Sequence, residues 1–276
     1  VILHNLPILF PGMKIENAQI FRVTRSADID PEDAEGEDLM EIIEEGIRER
    51  KFAPVVRLEY QKEMSPWALQ FLREGFDLID ECLIEMPSIA NYSNFRFLYE
   101  GMQRPDLKWP NFTPAVLPGL SDIENKELSI FHLIKQKDLL IHHPYESFHT
   151  SVQRFIQEAC IDPHVEAIKI TLYRTDSTGH LIEYLINAAE KGKQVVCLVE
   201  LKARFDEERN IHFAQMLESK GIHVIYGMMG SKTHAKMCMV VRKENDGLCI
   251  YAHIGTGNYN SSTAKVYEDY SYFTCK

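Results

Sequence analysis

Apolar residues recur along this 276-residue chain with two periods, and each change of period marks an element. Over Gln19–Thr24 (QIFRVT) apolar and polar positions alternate, as on a strand with one buried face. From Asp38 to Arg50, Leu39, Ile42, Ile43 and Ile47 return at the spacing of one helix face. Val55–Tyr60 reads as a second strand. Ser65 and Pro66 then offer an N-cap and a first-turn proline to a helix carrying Leu69, Leu72 and Phe76 on one side. Residues 101–130, which include RPDLKWPNFTPAVLPGLSD, are proline-rich and aperiodic and read as a linker or surface loop.

The second half alternates more regularly. Phe148, Val152, Phe155, Ile156 and Ala159 share a helical face, followed by a strand over Val165–Leu172. A helix through Ile182, Leu185, Ile186 and Ala189, closed by Gly192, leads into strand Gln194–Leu201. Another helix, near Glu207–Lys220 and closed by Gly221, leads into Ile222–Tyr226. Two further strands, near His234–Arg242 and Leu248–Ile254, flank Asn245-Asp246-Gly247, a strong hairpin signal. The order αβαβαβ plus a hairpin predicts an α/β fold, a mixed sheet with helices on both faces, preceded by an α+β module. The expected domains are residues 1–120 and 121–276. Val1 is not an initiator Met, and the end falls inside a strand-like run from Tyr270, so we expect both domains to be incomplete parts of a longer protein.

Composition narrows the class. With 45% hydrophobic and 26% charged residues the chain is globular, and no apolar run nears the roughly 18 residues of a membrane span. Its six cysteines form no CxxC pair; Cys197, Cys238 and Cys249 lie in apolar runs, as free thiols in a reducing cytoplasm do. The net charge of −11 is lopsided, since residues 151–276 hold 15 Lys/Arg against 15 Asp/Glu. The acid excess therefore lies in residues 1–150, much of it between Asp28 and Glu45. Such a face repels nucleic acid and anionic lipid, which leaves the neutral second half for a polyanionic substrate.

Chemistry gathers there. His234 and Lys236, two apart at the start of an apolar run, are expected on one strand face, with Lys232 adding a cation. An imidazole can attack phosphorus, and an ammonium beside it can hold a phosphate oxygen. Gly255-Thr256-Gly257-Asn258 offers backbone N–H groups and the Asn258 amide to the same anion. Arg174 and Arg204 follow strand ends, where open α/β sheets bind ligands, and can grip phosphate; pairing of Arg174 with Asp176, and of Arg204 with Asp206 or Glu207, is the plainer alternative. Glu200, Lys202 and Arg204 would share one side if their strand ran that far. His142-His143 lacks a third ligand at metal spacing, and Tyr267 reads as either a base-stacking or a packing aromatic.

Five segments in order resemble polyphosphate kinases of the first, long type: HHPYESF from His142, ITLYR from Ile170, VELKARFDE from Val199, KTHAK from Lys232 and GTGNYN from Gly255. Phe21–Arg25 and Val56–Glu59 are similar to the domain that precedes the catalytic halves in that family. The resemblance implies a phospholipase-D-like catalytic half and reversible transfer of the terminal phosphate of ATP to inorganic polyphosphate. His234 matches the phosphorylated histidine and Tyr267 a nucleotide-contacting tyrosine. Arg174 and Arg204 match positions associated with Mg²⁺. A protonated guanidinium has no lone pair to donate, so contact with phosphate beside a phosphate-bound ion is the expected role. The resemblance further implies a cytoplasmic homo-oligomer assembled through the first module, ATP and polyphosphate as partners, and peripheral membrane association. Further nucleotide contacts in the family fall outside these residues, so full turnover by this chain alone is not expected. Two alternatives use the same residues: a phospholipase-D-like phosphodiesterase, and a non-catalytic module for polyphosphate binding or dimerisation.

Overall fold

A computed structural model describes residues 3–27, 39–88, 92–120, 129–174, 180–227 and 231–276. Most of the acidic run after Asp28, and Asp176, lie outside them. The first elements are α1 (Leu6–Leu9), β1 (Phe21–Arg25), α2 (Leu39–Glu49), β2 (Val55–Gln61), α3 (Pro66–Gly75), β3 (Leu83–Met86) and α4 (Phe95–Gly101). Then come α5 (Ile130–Gln136), β4 (Leu139–His143), α6 (Arg154–Ile161), β5 (Val165–Leu172), α7 (His180–Glu190) and β6 (Gln194–Val199). The last are α8 (Glu207–Ser219), β7 (His223–Tyr226), β8 (Lys236–Glu244), β9 (Gly247–Gly255) and β10 (Asp269–Thr274). The chain divides into two compact units, residues 1–28 with 48–110, and residues 29–47 with 111–276.

In the smaller unit β2 is central, antiparallel to β1 and parallel to β3. Val55, Leu58 and Leu78 form its core, with Val23, Leu69 and Leu72 packed around them. Ser65 Oγ accepts the Ala68 N–H at 3.2 Å and so caps α3 at its predicted start. Buried Glu59 is ion-paired to both Arg22 and Arg57.

The larger unit holds a seven-stranded sheet in the order β4-β10-β9-β8-β5-β6-β7. β5, β6 and β7 run parallel, and every other pair is antiparallel. Its core is built on aromatic contacts: Phe131 lies 5.6 Å from Phe155 and 4.9 Å from Tyr251, and Phe155 lies 5.4 Å from Phe273. Leu39 and Ile43 of α2 enter the same core.

The α/β fold with a mixed sheet is the one the sequence predicts. Its helices differ in placement: among the described residues α5, α6, α7 and α8 neighbour one another in one layer, not on two faces. Handedness explains this. β5, β6 and β7 step one way across the sheet, and right-handed crossovers then put α7 and α8 on the same side. The opposite face keeps an apolar row in water, including Met237, Ile254 (51% exposed) and Leu140 (60% exposed). Pattern also missed α4, α5 and β3, all four to seven residues long. A π-turn at His149–Gln153 interrupts the start of the helix read through Phe148.

Two histidines lie in this core. His143 shares hydrogen bonds with Glu146 O and Ser271 Oγ, both 3.0 Å. His253 packs against Phe155 and Phe273, and its Nδ1 shares a 2.8 Å hydrogen bond with the Tyr259 hydroxyl. Burial pushes the His253 pKa down to about 3, whereas an unfolded histidine titrates near about 6.5. A depressed folded pKa means the unfolded chain takes the proton first. The contribution is complete above pH 6.5 and is lost, at about 1.4 kcal/mol per pH unit, as pH falls toward about 3. Urea unfolding across this window is expected to show a shallower pH dependence, by one proton, in the double variant His253→Phe/Tyr259→Phe.

Candidate active site

Strand direction collects the candidate residues. The carboxyl end of β5 leads to Arg174 and that of β6 to Lys202 and Arg204. β8 is antiparallel to β5, so its amino end, with His234 and Lys236, lies at the same edge. The next two reversals bring the end of β9, with Asn258, and the start of β10, with Tyr267, to that edge as well. All seven candidates thus fall along one edge of one sheet.

β8 starts at Lys236, so His234 stands two residues before the strand, yet both side chains reach the Tyr173 ring. The lysine side chain is 4% exposed and turns back, its Nζ donating to His234 O at 2.7 Å. Thr171 anchors this approach to β5: its hydroxyl donates to Ala235 O at 2.7 Å and accepts Met237 N–H at 3.0 Å. Tyr173 is the hub. Its ring meets the exposed His234 imidazole edge-on at 5.1 Å, and the ammonium groups of Lys236 and Lys232 lie 4.9 and 5.3 Å from its centroid. Partial desolvation, helped by Lys236 and Lys232, moves the His234 pKa below its ordinary value. The imidazole is therefore neutral, with a free lone pair, at neutral pH.

β6 ends at Val199, so Glu200, Lys202 and Arg204 do not alternate along a strand; Leu201 and Lys202 form a turn. Arg174 is ion-paired to Asp206, which also holds Arg209, and its Nη2 donates to Arg204 O at 3.2 Å. Among the described residues no three His, Cys, Asp or Glu side chains gather to hold a metal ion. Arg174, Arg204, Lys202 and Lys236 bring donors only, which does not fit a protein-ligated Mg²⁺ and does fit an anion. Asn258 is half-buried, its Oδ1 without a hydrogen-bond partner among the described residues. Tyr267 is exposed and two strands away from the His234 segment.

Sequence reading named neither Tyr173 nor Asp269 as site residues. Asp269 accepts from Thr256 Oγ1 at 2.8 Å and attracts Lys236, partly opposing the desolvation that lowers the lysine pKa. It sits so close to Gly257 that a Cβ there would stand 2.6 Å from Asp269 Oδ2, so a side chain at 257 would displace the carboxylate. Neither role leaves a spacing signal, because both arise between strands.

Comparison with known proteins gives the family. Residues 129–276 match the family model for polyphosphate kinase C-terminal domain 1, and residues 1–98 that for the polyphosphate kinase middle domain. A polyphosphate kinase of Mycobacterium avium is 49% identical over 269 residues, covering 98% of this chain and 37% of the relative. One from Mycobacterium marinum is 48% identical, covering 98% of this chain and 36% of the relative. The crystal structure of polyphosphate kinase from Porphyromonas gingivalis superposes with a TM-score of 0.69 at 28% identity, covering all of this chain and 38% of that one. The chain thus spans little more than a third of the length of these relatives, and it belongs to the polyphosphate kinase family.

Proposed function

We propose that this chain supplies the phospho-accepting part of a polyphosphate kinase, with His234 as the acceptor. An imidazole nitrogen attacks the terminal phosphorus of ATP, the bond to the bridging oxygen breaks, and ADP leaves with that electron pair. A terminal oxygen of polyphosphate then attacks the phosphohistidine, lengthens the chain by one phosphate and frees the imidazole; both steps reverse. Arg174, Arg204, Lys202 and Lys236 offset the charge on the phosphate oxygens, because phosphoryl transfer is catalysed mainly by positioning and charge. Asn258 and Tyr267 complete the reading as a phosphate contact and a nucleotide contact. Mg²⁺ enters on the phosphates of ATP rather than on protein ligands, and no step is assigned to it. The same reading makes the protein a cytoplasmic homo-oligomer.

The observation that carries this reading is the exposed His234 imidazole, kept unprotonated at a cationic sheet edge. In a full-length enzyme carrying this chain, incubation with γ-³²P-ATP and Mg²⁺ is expected to give acid-labile, base-stable label that His234→Ala abolishes. Label that survives in that variant overturns the assignment. The pH dependence has a definite sign. Since a lowered pKa preserves the neutral imidazole, the acid limb of the labelling rate is expected to have its midpoint below about 6.5. Lys232→Met removes one like charge and is expected to move that limb to higher pH.

A further inference from the structure

Glu200 follows β6 at the candidate edge and is 1% exposed. Its N–H donates to Leu172 O at 2.9 Å, which continues the pairing with β5 by one residue. Its carboxylate points the other way. Oε1 accepts the Lys202 N–H at 2.9 Å, and Oε2 accepts the Thr233 N–H at 2.6 Å. Thr233 is the residue before His234. Gly227, just past β7, comes so near that a Cβ there would stand 3.1 Å from Oε2 and 3.3 Å from Oε1. One buried carboxylate thus touches three segments: the exit of β6, the exit of β7 and the approach to His234.

A second contact secures the same corner. Buried Asn210 donates from Nδ2 to Glu200 O at 2.9 Å and to Tyr173 O at 2.8 Å. The backbone that carries the carboxylate is thereby tied to the backbone whose tyrosine ring meets His234. Sinking a carboxylate into a protein is costly, and charge-assisted bonds to fixed N–H groups offset that cost while imposing strict geometry. A core position needing only volume gains nothing from such a group. A loop that must hold one imidazole in line with a phosphorus atom does.

We propose that Glu200 is a positioning residue: it fixes the Thr233 backbone and so sets where the His234 imidazole meets the transferring phosphate, touching no substrate itself. This rests on the reading of His234 as the phospho-acceptor. The carboxylate acts on geometry, so its loss belongs in the rate of transfer and not in nucleotide affinity.

Two variants test this in a full-length enzyme carrying the chain. Glu200→Gln keeps the shape but sets an amide donor where one carboxylate oxygen accepted an N–H. Gly227→Ala keeps the charge and presses the carboxylate by a few tenths of an ångström. The Gln variant is expected to label His234 about a hundredfold more slowly per folded molecule, as a misplaced reacting group does. Its KM for ATP should stay within about twofold, and Gly227→Ala is expected to shift the rate in the same direction by less. Labelling within twofold of the parent, or a loss confined to KM, overturns the proposal. If Glu200→Gln does not fold, unchanged labelling in Gly227→Ala overturns it alone. Absence of His234-dependent label in the parent sinks the acceptor reading instead. Hydrogen exchange then still decides positioning: the Thr233 amide should be protected in the parent and lose protection in the variant, and unchanged protection overturns the role.

Discussion

The candidate site depends on β8 pairing antiparallel with β5. The register sets Ile170 against Cys238 and Ile168 against Val240, so the chain enters the sheet beside the carboxyl end of β5. Were that pairing parallel, the nine-residue strand would start at the far edge, about 30 Å away at ~3.4 Å per residue. His234 would then have no route to Tyr173. The pairing is held from below by the buried Cys238 and Val240 and by the aromatic cluster of Phe131, Phe155 and Tyr251. The arrangement of residues at the edge is thus a by-product of packing beneath it.

Lys232, Lys236, Arg174 and Arg204 crowd toward one locus, which alone would repel itself. Among the described residues, three carboxylates near them are already engaged. Asp206 is shared between Arg174 and Arg209, Asp269 is held by Thr256, and Glu200 is spent on backbone N–H groups. None of these carboxylates neutralises the two lysines flanking His234 by direct contact. The His234 imidazole thus stands beside two lysines that favour its neutral form.

The long, strongly periodic elements could be read from sequence. Val165–Leu172 appears as a strand with those same limits, and the helix after Asp206 and the hairpin at Asn245-Asp246-Gly247 lie where the pattern puts them. Short elements could not: α5 rests on a single Ser129 cap, whose Oγ accepts the His132 N–H at 3.2 Å, and the preceding prolines mask it. The stripe on α2 announces a buried face without saying which unit receives it, since amphipathicity carries no address. At the site, motif spacing pointed to His234, Lys236 and the arginines. It did not reveal that the strand begins only at Lys236, nor that Tyr173 links imidazole and lysines, because those facts depend on pairing between strands.

The bare side of the large sheet has a thermodynamic consequence. Met237, Ile254 and Leu140 stand in water across several strands, and hiding such a row releases the water ordered over it. Any association that covers the row favours the folded state by mass action, so its apparent melting temperature rises with concentration. With such a cover, the strength of this sheet would belong to the solution it sits in as well as to the chain that forms it.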